Sequence, residues 1–137
     1  MSTRIGDRLP APVRLEFGLQ PGSGDPAKAV IVGSIDEDGS IRFAVVSNAE
    51  ILPIDDKRLS IALAADSTTC SNVTMRKAMS LWYVHGAAAY TIKSRMTKPG
   101  SAAQDGRSTF EVEIESVWRD LRPDAPMTCG PMYQAPD

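Results

Sequence analysis

The sequence predicts a mainly β protein: a small antiparallel barrel with one or two short helices. Three observations predict it. Apolar, β-branched runs recur at hairpin spacing, separated by turns rich in Gly, Asp and Pro. One segment, Thr109–Arg119, alternates strictly, with Phe110, Val112 and Ile114 set against Glu111, Glu113 and Glu115. A helix opening is signalled once, by the Ser/Thr/Asp cluster at 66–69 ahead of Cys70–Ala78.

Taken in order, Val13, Leu15 and Phe17 alternate with Arg14 and Glu16, which predicts a first short strand within an N-terminal region, 1–27. Gly18–Lys28, with Pro21, Gly22, Gly24 and Pro26, reads as a loop. Ala29–Ile35 and Ile41–Val46 form the clearest hairpin, joined by Asp36-Glu37-Asp38-Gly39. Glu50–Ile54 and Arg58–Ala64 follow, parted by a turn at Asp55-Asp56-Lys57. The helix at Cys70–Ala78 is short, because Val73, Met75 and Ala78 make only a narrow apolar face. Met79–Val84 and Ala88–Met96 are strands around a turn at His85-Gly86-Ala87. Thr97–Arg107 reads as a loop, from its Pro99-Gly100 and Asp105-Gly106 pairs, before the alternating strand. The tail Asp120–Asp137 carries Pro123, Pro126, Pro131 and Pro136 and is expected to be extended. The expected total is six or seven strands in one domain spanning 1–137.

The 137 residues suit one ordinary domain. A net charge of −2 lacks the electrostatic footprint of a general nucleic-acid binder. No apolar run approaches the ~20 residues that span a bilayer. The N-terminus lacks the apolar core of a secretory signal, so a cytoplasmic address is expected. Two cysteines and one histidine, at unrelated spacings, make neither a disulfide framework nor a four-ligand zinc site, and no metal is expected.

The order of elements resembles the pyridoxamine 5′-phosphate oxidase-like family, the flavin-binding split barrels. The stretches that carry the resemblance are VIVGSIDEDGSIRFAVVSNAEIL, LSIALAADSTTCSNV and AAAYTIKSRM, followed by FEVEIESVWRDLRPDAPM. Together they cover residues from about 28 to 128. The resemblance implies a six-stranded split β-barrel that forms a homodimer, binds flavin mononucleotide (FMN) and acts as an oxidoreductase on a small molecule. By position it implies phosphate contacts from Ser67, Thr68 and Thr69, with Asn72 on the first helical turn. The flavin ring would lie along Val45, Val46 and Ser47, and the partner subunit would contribute the strand bearing Tyr90 and Lys93. A helix start suits phosphate, since its free N–H groups and dipole face an anion. The loop departs from typical family members in having no Arg or Lys within Asp66–Asn72; Arg42, Arg76 and Lys77 are the basic residues near it in sequence. The alternative is a split barrel holding another ligand (FAD, a deazaflavin or a tetrapyrrole) or serving as a dimeric interaction module. Catalytic residues are not assigned.

Each candidate has a plain structural reading as well. Ser67-Thr68-Thr69 can be a helix cap alone, and Ser47 a strand-end turn. One of Trp82 and Tyr83 should face the barrel and the other an interface, because neighbours on a strand point to opposite faces. His85 reads as a turn residue and Cys70 as an inert thiol at a helix start.

Overall fold

The structure, a computed structural model, describes residues 2–18, 20, 22–102 and 105–134. Pro21 in the first loop and Pro136 in the tail lie outside the described residues. Among the described residues, eight antiparallel strands make one curled sheet: β1 (Ser2–Gly6), β2 (Ala29–Ile35), β3 (Ile41–Ser47), β4 (Ile51–Pro53), β5 (Arg58–Ala64), β6 (Ala78–His85), β7 (Ala88–Ala102) and β8 (Arg107–Asp120). The strand order is β3-β2-β6-β7-β8-β5-β4, and β1 pairs with the far end of β8. A 3₁₀ turn, Asn48–Glu50, joins β3 to β4, the two outer strands of that order. The sheet therefore curls into a half-barrel whose two edges are neighbours in sequence. Helices α1 (Ala11–Phe17) and α2 (Thr68–Arg76) pack on it.

The main hairpins stand where the sequence put them. Ala29–Ile35 pairs with Ile41–Ser47 around Gly39, whose φ of +87° is the conformation that turn requires. Tyr83 points into the core at 2% exposure, while its neighbour Trp82 faces outward against Ile31 and Thr91. The inward sets of β5, β6 and β8 (Leu59, Ile61, Leu63; Met79, Leu81; Phe110, Val112, Ile114) fill one apolar core.

Four elements differ from the sequence reading. Val13–Phe17 is the end of a helix, not a strand. In the pattern VRLEF the i, i+4 pair Val13 and Phe17 is fully buried, while Leu15, which strand alternation would also bury, is 64% exposed. Pro10 and Pro12 are tolerated because the first helical turn needs no N–H donors. The expected loop at Thr97 is instead strand, since β7 runs on to Ala102. Its register against β8 slips between Met96 and Lys98 and again between Lys98 and Ser101, which accommodates Pro99. Gly100 sits under the Phe110 ring, where a Cβ would lie 2.9 Å from that ring. The helix near Cys70 starts and ends two residues early, at Thr68 and Arg76. Lys77 then takes a left-handed φ of 68°, and Ala78 already belongs to β6. The polar segment Ser2–Gly6 carried no strand signal, yet pairs with Val117–Asp120.

Candidate functional site

Ser47 ends β3 and opens the 3₁₀ turn. Its Oγ accepts from Ala49 N and donates to Pro26 O, and its N–H donates to Glu50 Oε1. This reciprocal cap fixes Glu50 beside the strand. Ser67 does the same for α2, accepting from Cys70 N at 3.1 Å and donating to Ala64 O at 2.7 Å. β3, the end of β5 and the start of α2 thereby form the walls of a cleft of about 470 Å³. The start of β8 closes its fourth side, because β5 and β8 pair with Ala64 opposite Arg107, and Ala65 N–H donates to Gly106 O.

The cleft has two characters. Val45, Val46 and Leu63 make an apolar wall, and β3 is an edge strand with a row of backbone groups unpaired in the sheet. The other end is polar. Thr69 lines it at 5% exposure, and its hydroxyl has no hydrogen-bond partner among the described residues. The start of α2 lies there too, at Ser67 and Thr69, as does the Arg107 guanidinium. Arg107 is ion-paired to Glu50, and its Nε lies 3.9 Å from Asp105.

The structure thus gathers Val45, Val46, Ser67 and Thr69 from the candidate set. Ser47 is spent on its cap. Thr68 and Asn72 instead line a second cleft, with the Asp36–Asp38 turn, Arg42 and Arg76. Asn72, 4% exposed, donates to Ser34 Oγ and to Asp36 Oδ1. Hydrogen bonds from Arg42 and then Asn72 hold the Asp36 carboxyl below its ordinary range. Tyr90 packs against the core, and Lys93 lies 5.5 Å over the Trp118 ring; neither lines the cleft within its own chain. Sequence reasoning missed Glu50 and Arg107. Arg107 is 38 residues beyond Thr69, and only the β5–β8 register brings it in.

The outer face of β3, β2 and β6 adjoins the cleft through Val45. Ile41 (69% exposed), Phe43 (72%) and Val45 (52%) stand beside Ile31 and Trp82. An apolar surface of this kind is unusual on a protein that works alone.

A second polar cluster lies elsewhere. Glu16 Oε2 accepts from the Tyr83 hydroxyl at 2.7 Å and sits 2.6 Å from His85 Nδ1, while its Oε1 accepts from Lys28 at 2.6 Å. Asn48 Nδ2 donates to the same Tyr83 hydroxyl. Burial pushes the Glu16 carboxyl up, but the bonds from Lys28, Tyr83 and His85 outweigh it and hold it below its ordinary value. Burial, with Glu16 adding to it, raises the Tyr83 phenol. This cluster ties α1 to β6 and reads as structural.

No family model and no curated protein sequence matches the chain. Solved structures do. A proposed flavin reductase with a split-barrel domain from Shewanella frigidimarina superposes with a TM-score of 0.58 at 12% identity, over 72% of this chain and 71% of that one. An FMN-binding protein from Syntrophomonas wolfei gives 0.57 at 10% identity, over 68% and 78%. The fold is a split β-barrel. A proposed pyridoxamine 5′-phosphate oxidase from Lactobacillus delbrueckii, at 0.54 and 12% identity over 66% and 83%, shares it. In this split barrel, as described above, the short strands β1 and β4 accompany the six longer ones. No helix among the described residues is long and apolar enough to cross a membrane.

Proposed function

We propose that this split barrel binds FMN in the β3/β5/α2/β8 cleft and serves as a flavin-dependent oxidoreductase for a small molecule. The observation that carries the reading is Thr69, a residue 5% exposed that lines the cleft at a helix start with its hydroxyl unpaired among the described residues. A hydroxyl so placed, with no protein bond to give up, is available to a ligand in the cleft as donor or acceptor. The residues present suit such a group: Val45, Val46 and Leu63 for an apolar ring system, free edge-strand backbone for its polar rim, and Thr69, helix N–H groups and Arg107 for an anionic end. A volume near 470 Å³ falls within the usual range of ligand sites. When bound, the flavin supplies the redox chemistry, and the chain's own work is to hold and orient it.

The reading includes a homodimer. The exposed Ile41-Phe43-Val45 row with Trp82 is the face that would be covered, and it runs into the cleft at Val45. Tyr90 and Lys93 of the partner subunit would complete the open side. The reading also includes a cytoplasmic location. Visible absorption of the purified protein, followed by FMN titration, tests the ligand. Bands in the near-ultraviolet and blue, or saturable quenching of added FMN, are expected. A protein that neither carries nor binds flavin refutes the reading.

A further inference from the structure

The anionic end of the cleft contains its own competitor for the guanidinium. We infer that Glu50 is a specificity-determining residue that holds Arg107 away from the ligand and so weakens the cleft's preference for a phosphorylated flavin over an unphosphorylated one. This rests on the flavin reading above. Two carboxylates, Glu50 and Asp105, face one cation, Arg107, at the polar end of the cleft. The three together carry a formal charge of −1. A dianionic phosphate entering there meets a net negative rim and must take Arg107 from Glu50. An uncharged ribityl terminus needs only the Thr69 hydroxyl and helix N–H groups, and meets no such opposition.

Glu50 is well built for the role. Its Oε1 accepts the Ser47 N–H at 3.2 Å in the cap of the 3₁₀ turn, so the carboxylate cannot swing away freely. Its Oε2 is the atom paired with Arg107. The two oxygens thus have separate partners. Arg107 is 42% exposed along its side chain, against 24% for Glu50, so the arginine is the member of the pair with open space to move into. Movement of Arg107 from carboxylate to phosphate exchanges one charge-assisted bond for another, and the net gain from binding phosphate is correspondingly small.

Glu50→Gln keeps an oxygen for the Ser47 N–H while removing the charge that holds Arg107. Dissociation constants for FMN and riboflavin, measured by fluorescence quenching, test the idea on the parent, Glu50→Gln, Arg107→Gln and the double variant. In Glu50→Gln, FMN should bind about tenfold tighter and riboflavin should change less than about twofold. In Arg107→Gln, FMN should weaken relative to riboflavin, and adding Glu50→Gln should restore only a small part. If Glu50→Gln shifts both flavins equally, or neither, while both still bind, the inference is overturned and the flavin site stands. If neither flavin binds any of the four proteins and their thermal melts match, the flavin reading falls and the inference with it.

Discussion

Thr68 and Thr69 are adjacent, chemically identical, and line different clefts, which makes them an internal control. Thr69 lines the β3/β5/α2/β8 cleft, whereas Thr68 lines the cleft shared with Arg42 and Arg76. Valine is the chosen replacement because it matches threonine in shape and nearly in helix propensity. The Thr69 hydroxyl has no protein hydrogen bond to lose, so Thr69→Val should move stability by less than about 1 kcal/mol. Its loss to a ligand is larger. A bond to a neutral acceptor contributes about 0.5–1.5 kcal/mol, and one to a phosphate about 1.5–3 kcal/mol. At 1.4 kcal/mol per factor of ten, Thr69→Val should weaken FMN binding about tenfold or more. Thr68→Val should change it less than about twofold. Fluorescence titration of FMN against both variants, with a thermal melt of each, is the assay. Equal effects at the two positions, or none at 69, would refute the placement of the ligand's polar end.

Phe43→Asp places a charge at the centre of the exposed β3 face, and should turn a dimer into a folded monomer in sedimentation at micromolar concentration. Tyr83→Phe keeps the ring contact with Phe17 at 4.9 Å but removes the hydroxyl shared by Glu16 and Asn48. Urea unfolding at neutral pH should show a loss of about 2–4 kcal/mol, since one charge-assisted bond goes and the buried Asn48 Nδ2 loses that partner. Glu16 adds a pH dependence. Its folded pKa lies below the ordinary 4.5, so the unfolded chain binds the proton more readily. The contribution is therefore complete above about pH 4.5 and is lost as pH falls through the lower folded value. Urea midpoints between about pH 3 and 6 should fall less steeply with acidification in Glu16→Gln than in the parent.

Much of the fold was legible because its signals are local. The Ala29–Ser47 hairpin announces itself by β-branched runs around an Asp-Gly turn, and β8 by strict alternation. Ser67 is readable as a cap for the same reason, since it bonds the N–H three residues on. Local signals also explain the misreading of α1. Val13 and Phe17 satisfy a two-residue and a four-residue repeat equally, and only packing against the 3₁₀ turn and β4 selects the helix. The candidate site was half legible. Val45, Val46, Ser67 and Thr69 were accessible as a strand end and a helix start, but their neighbours Thr68 and Asn72 could not be separated from them without the helix's rotation. Arg107 was out of reach altogether. The loop beside Thr69 has no basic residue in sequence, and the cation arrives from β8 by pairing Ala64 with Arg107. The sequence by itself determined the β2–β3 hairpin, the strands β5, β6 and β8 and the cap at Ser67, because propensity and periodicity act within a few residues. Only the tertiary structure decided which charges meet in the cleft, because strand register across the sheet depends on the joint burial of all its apolar sets.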